Sequence, residues 1–134
     1  LVVEPDLIAA AVLFAPVSSD YRQNFAKWTR QRRPIASEII IAYGDPTTSP
    51  AFWSNVSSVS FFDRVAEPIM IHHGTDDESV PLNWSEKTTT ALESAGKDVT
   101  LHIYPGEPHE FINAWPTVMQ RTREFFDTHV KAGS

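Results

Sequence analysis

An aspartate and a histidine follow two predicted strands, where they could act together in proton transfer. Asp77 belongs to the acidic run after Ile69–His73, and His109 follows Val99–Tyr104. In a parallel sheet, functional groups gather beyond the carboxyl ends of the strands. A carboxylate that accepts from a histidine Nδ1–H fixes the tautomer and stabilises the imidazolium formed when the other nitrogen takes a proton. The pair therefore predicts general acid–base chemistry.

The spacing of these two residues fits neighbouring strands of one sheet. They lie 32 residues apart, which accommodates one helix and one strand. Pro81–Ala95 has the length of a crossover helix, and Gly96 follows it at a position typical of a helix end. Because a right-handed crossover joins neighbouring parallel strands, we predict a βαβ unit that brings Asp77 and His109 to one edge.

The other apolar patterns complete an α/β architecture. Leu7–Phe14 predicts a further strand, which like Ile69–His73 should be buried on both faces. Near the C-terminus, Asn113 can cap a helix in which apolar residues recur every three or four positions. The sequence thus predicts three layers, with helices flanking a small, mostly parallel sheet of about three strands.

Residues 20–64 form a helical excursion in this scheme. Asp20 can cap a first helix, which Pro34 ends, and Ile35–Tyr43 and a segment that starts at Ser49 supply two more. Four aromatic residues of the excursion are expected to pack in the core or in a lid, with a substrate pocket as the alternative. They are Phe52, Trp53, Phe61 and Phe62.

Composition restricts the class of protein. The 134 residues carry 17 acidic and 11 basic side chains, a formal charge of −6, and 42% are hydrophobic. Such a chain can bury a core, and its acidity disfavours nucleic acid. It has no cysteine, and its longest apolar run is too short to span a membrane. We expect one soluble domain over residues 1–134, with no nucleic-acid or membrane partner and the cytoplasm favoured.

Three motifs follow one another at specific distances. They are PIMIHHGTDDESVP at Pro68–Pro81, AGKDV at Ala95–Val99 and YPGEPHEF at Tyr104–Phe111. Together they resemble the C-terminal part of prolyl oligopeptidase-type serine peptidases, which include dipeptidyl and acylaminoacyl peptidases. The resemblance extends from about Pro5 to about Val130. It implies part of an α/β-hydrolase fold and a serine peptidase that acts on peptides or acyl-peptides through an acyl-enzyme.

Carried over by position, the resemblance implies that Asp77 is the triad acid and His109 the base. The family pattern G-x-x-D-x-x-V-P falls on Gly74–Pro81. The family's Gly-Glu-Gly-His-Gly-Phe falls on Gly106–Phe111, where proline and glutamate replace two glycines. Residues 68–130 would therefore form the part of the domain that bears the acid and the base.

The serine that the resemblance implies has no counterpart in the sequence. α/β-Hydrolases hold it in G-x-S-x-G, ahead of the acid and the base, and no serine here lies in such a motif. Because the sequence starts without methionine, we expect the C-terminal half of a hydrolase domain, whose serine comes from a segment outside it. The isolated chain should then be nearly inactive, and the chemistry requires no cofactor or metal.

Three other interpretations remain open. The chain could be a non-catalytic module that forms a homo-oligomer through an unpaired edge of Leu7–Phe14. It could also belong to a carboxylesterase of the same fold. A metal-dependent hydrolase would use His72, His73, His109 and nearby acids, but strand alternation places the first two on opposite faces of the sheet.

Overall fold

A three-stranded parallel sheet lies at the centre of the structure, a computed structural model that describes residues 1–5 and 7–130. In spatial order, the strands are β1 (Ala11–Phe14), β2 (Ile69–Gly74) and β3 (Val99–Tyr104). Ile69 is aligned with Ala11 on one side and with Val99 on the other. The predicted α/β sheet of three parallel strands is therefore confirmed.

Helices flank this sheet on both sides. In the part of the chain that is described, they are α1 (Tyr21–Asn24), α2 (Arg33–Tyr43), α3 (Pro50–Asn55), α4 (Leu82–Ser94) and α5 (Trp115–His129). A π-helical turn continues α1 over Phe25–Thr29, and a 3-10 segment covers Ser58–Arg64. Within residues 1–5 and 7–130, no helix has both the length and the apolar character needed to cross a bilayer.

The central strand β2 is buried along its whole length, as its apolar sequence predicts. Successive side chains of a strand point to opposite faces. Accordingly, His72 lies 3.2 Å from the Thr122 hydroxyl of α5, and His73 lies 2.7 Å from the Ser85 hydroxyl of α4. The two histidines therefore face different helical layers.

β1 is shorter and more exposed than the run Leu7–Phe14 predicts. It begins at Ala11, whose N–H donates to the Pro68 carbonyl, and Leu7 is 75% exposed. Proline has no N–H with which to extend the ladder to earlier residues. Within the described residues β1 pairs with β2 alone, and Phe14 is 41% exposed. The expected burial of this strand on both faces is wrong.

Helix starts agree with the sequence only in part. Asp20 caps α1 by accepting from the Arg22 N–H at 3.0 Å, as expected. Pro34 lies in the first turn of α2, where its missing N–H costs no helical bond, so it begins a helix rather than ending one. Asn113 does not take the N-cap position of α5, because the helix begins at Trp115 and Ala114 occupies that position. The Asn113 N–H donates instead to the Glu107 carboxylate at 2.9 Å.

The helical excursion encloses an apolar cluster of its own. Phe25, Ala36 and Trp53 are buried in it, and the Trp53 indole N–H donates to the Gly44 carbonyl at 3.0 Å. Phe62 packs instead in the core against the sheet. Trp53 and Phe62 therefore serve as core residues, in agreement with the packing interpretation.

Candidate active site

The loops that follow β2 and β3 are hydrogen-bonded to each other beyond the carboxyl ends of the strands. Thr75 donates its N–H to the Tyr104 carbonyl at 3.0 Å, and Asp76 donates its N–H to the Glu107 carbonyl at 3.0 Å. The Thr75 hydroxyl accepts from the Gly106 N–H at 2.8 Å. These bonds hold the two loops together, so the side chains they carry share one edge of the sheet.

Two glycines permit this close approach. Gly74 is the last residue of β2, and a Cβ there would collide with the backbone carbonyl of Glu107. Gly106 has a φ of +73°, in the left-handed region that glycine enters without strain. Gly74 therefore permits backbone packing, whereas Gly106 permits a turn.

Asp77 and His109 are in direct contact, as their spacing predicts. The His109 Nδ1 lies 2.7 Å from the Asp77 Oδ2. An ionised carboxylate can only accept, so Nδ1 carries the proton and leaves Nε2 as the accepting nitrogen. The His109 side chain is 39% exposed, and within residues 1–5 and 7–130 no group bonds its Nε2. The ring can therefore take a proton from a group that approaches its open side.

The Asp77 carboxylate is buried and held on both oxygens. Its side chain is 1% exposed, and Oδ1 accepts from the backbone N–H of Ser79 at 2.8 Å and of Val80 at 2.7 Å. Burial raises the pKa of Asp77, but the bonds from Val80, His109 and Ser79 outweigh that effect and lower the pKa below its ordinary value. The carboxylate is thus kept ionised and turned towards His109.

A third side chain, His73, belongs to this cluster and was not predicted to do so. Its ring is fully buried, and its Nε2 lies 3.0 Å from the Val80 carbonyl oxygen and 3.3 Å from the Asp77 Oδ2. Strand alternation places His73 on the α4 face but does not show that the loop after Gly74 turns back over it. The one sequence signal is the separation of four residues between His73 and Asp77.

Three acidic residues of the two loops face solvent, whereas Glu107 is buried. Asp76 and Glu78 are exposed, and Pro81 occupies the N-cap position of α4. Glu110 is exposed as well, while the Pro108 carbonyl accepts from the Phe111 N–H at 3.2 Å. The contact between the acid and the histidine therefore forms with proline and glutamate at the positions of two family glycines.

The residues of the metal hypothesis are divided between two faces of the sheet. On the α5 face, the His72 ring lies 2.8 Å from the Tyr104 hydroxyl and 3.2 Å from the Thr122 hydroxyl. Burial lowers the pKa of His72 to about 4. His73 lies on the opposite face, and no group of three or more metal-ligating side chains occurs among the residues described. The described side chains thus form no metal centre.

Several solved structures share this fold. Dipeptidyl peptidase 4 of Porphyromonas gingivalis has a TM-score of 0.72 and 19% identity over 92% of this chain and 16% of its own. Acylaminoacyl peptidase of Pyrococcus horikoshii has a TM-score of 0.70 and 19% identity over 94% of this chain and 21% of its own. A thermophilic esterase of Thermogutta terrifontis has a TM-score of 0.60 and 24% identity over 88% of this chain and 42% of its own. The chain thus has part of an α/β-hydrolase fold and spans less than half of each relative.

Sequence comparison identifies the family. No curated protein matches the chain. The sequence profile of the prolyl oligopeptidase family matches residues 1–133, which include both loops of the site. The resemblance carried by the three motifs is therefore confirmed, and the chain belongs to the prolyl oligopeptidase family of serine peptidases.

Proposed function

We propose that this chain supplies the acid and the base of a serine peptidase that cleaves peptides or acyl-peptides. The observation that carries the proposal is the 2.7 Å contact between the His109 Nδ1 and the buried Asp77 carboxylate, at the carboxyl edge of the sheet. Family membership supports a serine as the nucleophile. Because no serine here lies in a G-x-S-x-G motif, the proposal takes the nucleophile from outside the sequence.

In the first half of the reaction, His109 acts on the serine. Its Nε2 accepts the hydroxyl proton as the serine oxygen attacks the substrate carbonyl, and Asp77 stabilises the resulting imidazolium. The ring then donates this proton to the leaving amine as the C–N bond breaks. The product of this half is an acyl-enzyme on the serine.

Hydrolysis of the acyl-enzyme uses the same two groups. Nε2 of His109 accepts a proton from water as the water oxygen attacks the acyl carbonyl. The ring then returns the proton to the serine oxygen, which releases the carboxylic acid product. Both halves require a carboxylate opposite Nδ1, and the lowered pKa of Asp77 keeps it ionised at neutral pH.

The test compares variants of the complete gene product that carries this sequence. The substrates are a peptide anilide and a matched p-nitrophenyl ester. His109→Ala should reduce kcat by about 10⁶-fold, and Asp77→Asn should reduce it by roughly 10⁴-fold. The exposed loop acids Asp76 and Glu110 provide controls, because Asp76→Asn and Glu110→Gln change a neighbouring charge and should leave kcat within about twofold. Full activity in His109→Ala would contradict the proposal.

An esterase of the same fold is the second candidate. It is favoured by the TM-score of 0.60 with the Thermogutta terrifontis esterase, which spans 88% of this chain. The same acid and base serve ester and amide substrates, since only the leaving group differs. The ratio of kcat/KM between the matched ester and anilide distinguishes the two, because an esterase would hydrolyse only the ester.

The edge of β1 favours a partner that adds a strand. Ala11 and Ala15 donate their N–H groups to β2, so alternation turns the N–H groups of Val12 and Phe14 towards the other edge. We propose that a nucleophile-bearing segment or, in the isolated chain, a second copy pairs there. Light scattering should then detect a dimer whose fraction rises with concentration, and a monodisperse monomer at high concentration would refute self-association.

A further inference from the structure

We propose that His73 is a positioning residue that holds the Asp77 carboxylate in the orientation that bonds His109. The inference rests on the proposed function, because it assigns a role within the same site. His73 lies near the end of the central strand, and its fully buried ring lies between that strand, the Asp77 loop and α4.

The hydrogen bonds of the His73 ring show which nitrogen carries the proton and which accepts. The Val80 carbonyl can only accept, so the His73 Nε2, at 3.0 Å from it, carries the proton. In this tautomer, Nδ1 accepts from the Ser85 hydroxyl at 2.7 Å. The Val80 carbonyl therefore fixes the tautomer that points an N–H at the loop, and the Ser85 hydroxyl satisfies the other nitrogen.

Val80 links the ring to the carboxylate. Its carbonyl accepts from His73, while its N–H donates to the Asp77 Oδ1 at 2.7 Å. Both polar groups of one peptide residue are thus used to close the loop around Asp77. Loss of the His73 N–H would free Val80 to move. It would thereby loosen the bond from the Val80 N–H that orients the Asp77 carboxylate.

The same N–H also acts on the carboxylate directly. Nε2 of His73 lies 3.3 Å from the Asp77 Oδ2, which is the oxygen that faces His109. A positive dipole end beside a buried carboxylate stabilises its charge. An apolar residue at this position would leave that side of the oxygen without a donor.

The neighbouring His72 provides an internal control. It is also fully buried and bonded at both nitrogens, but its partners are Tyr104 and Thr122 on the opposite face of the sheet. A substitution of His72 should therefore destabilise the fold without disturbing Asp77. A role of His73 in packing alone would make the two histidines equivalent in every measurement at the site.

The experiment separates the two nitrogens of His73. His73→Gln can place an amide N–H near the Nε2 position, whereas His73→Asn reaches only the Nδ1 position. The matched control is His72→Asn. Two quantities are measured: the downfield Nδ1–H resonance of His109 in the isolated chain, and kcat and KM of the complete gene product. Thermal unfolding of every variant reports its stability.

If His73 positions the carboxylate, the His109 resonance and kcat should depend on whether the variant keeps a donor at the Nε2 position. His73→Asn should lose the His109 resonance to solvent exchange and reduce kcat by about 10- to 100-fold with little change in KM, because a small misplacement of a reacting pair has this cost. His73→Gln should restore most of both quantities. His72→Asn should lower the unfolding temperature while both quantities stay near wild type.

Other outcomes overturn the inference or the proposed function separately. An unchanged His109 resonance and kcat in His73→Asn would refute the role of His73, whatever reaction the enzyme performs. If the His73 variants do not fold, long-range ¹H–¹⁵N spectra of the wild-type chain decide, because they report which nitrogen of His73 carries the proton. A proton on Nε2 is the expected result, and a proton on Nδ1 would also refute the role of His73. Full activity in His109→Ala would instead refute the proposed function.

Discussion

Asp77→Asn should reverse the tautomer of His109. The side-chain carbonyl oxygen of the introduced asparagine can still accept from Ser79 and Val80, which leaves its amide group facing the ring. That amide donates, so the His109 Nδ1 must become an acceptor and the ring proton must move to Nε2. A ring protonated at Nε2 cannot take a proton from a serine hydroxyl.

The magnitude follows from the bonds that change. In Asp77→Asn, the activation barrier of the reaction should rise by about 5 kcal/mol, the equivalent of a 10⁴-fold loss in kcat. Stability should fall by only about 1–2 kcal/mol, because bonds to a charged oxygen become bonds to a neutral one. Asp77→Ala should cost more, roughly 3–5 kcal/mol, since it also leaves the buried N–H groups of Ser79 and Val80 without an acceptor.

Two assays test this reasoning. Long-range ¹H–¹⁵N spectra of the imidazoles report which nitrogen of His109 carries the proton, and urea unfolding reports the free-energy differences. The expected order of stability is wild type, Asp77→Asn, Asp77→Ala. A His109 that keeps its proton on Nδ1 in Asp77→Asn would refute the argument, as would equal stability of the two variants.

Two further predictions concern the fold. Burial lowers the pKa of His72 from 6.5 to about 4, so the stability that the neutral ring contributes is complete above pH 6.5 and is lost as the pH falls towards 4. Urea unfolding between pH 7 and pH 4 should therefore show that the free energy of unfolding falls by about 3 kcal/mol. His72→Gln should reduce this fall. Gly74→Ala should destabilise by more than about 2 kcal/mol, since its Cβ meets the Glu107 carbonyl. Gly106→Ala should cost only about 1 kcal/mol, because a Cβ there would have open space among the described residues and only φ is strained. Equal losses of stability for the two glycine variants in thermal unfolding would contradict this difference.

The contact between Asp77 and His109 was predictable because it depends on topology. One crossover helix between parallel strands brings the two loops to the same edge, and this relation is encoded by spacing alone. The role of His73 depends instead on how the loop after Gly74 folds back, which a periodic pattern does not contain. The contacts that this short irregular loop makes could therefore be identified only from the structure.

The errors at β1 and α5 have different origins. The run Leu7–Phe14 predicted a strand by its apolar character, but pairing starts only at Ala11 because Pro68 offers no N–H beyond that point. At β1, a partner distant along the chain therefore decided the local structure. Asn113 has the right chemistry for a cap, but α5 begins at Trp115 and places Ala114 at the N-cap position.

Fluorophosphonate labelling tests the central claim most directly. The complete gene product is treated with the probe, and mass spectrometry locates the modified residue in the wild type, His109→Ala and Asp77→Asn. We predict a single labelled serine outside residues 1–134, and much slower labelling in both variants. A label on a serine within these residues, or an undiminished labelling rate in His109→Ala, would contradict the claim.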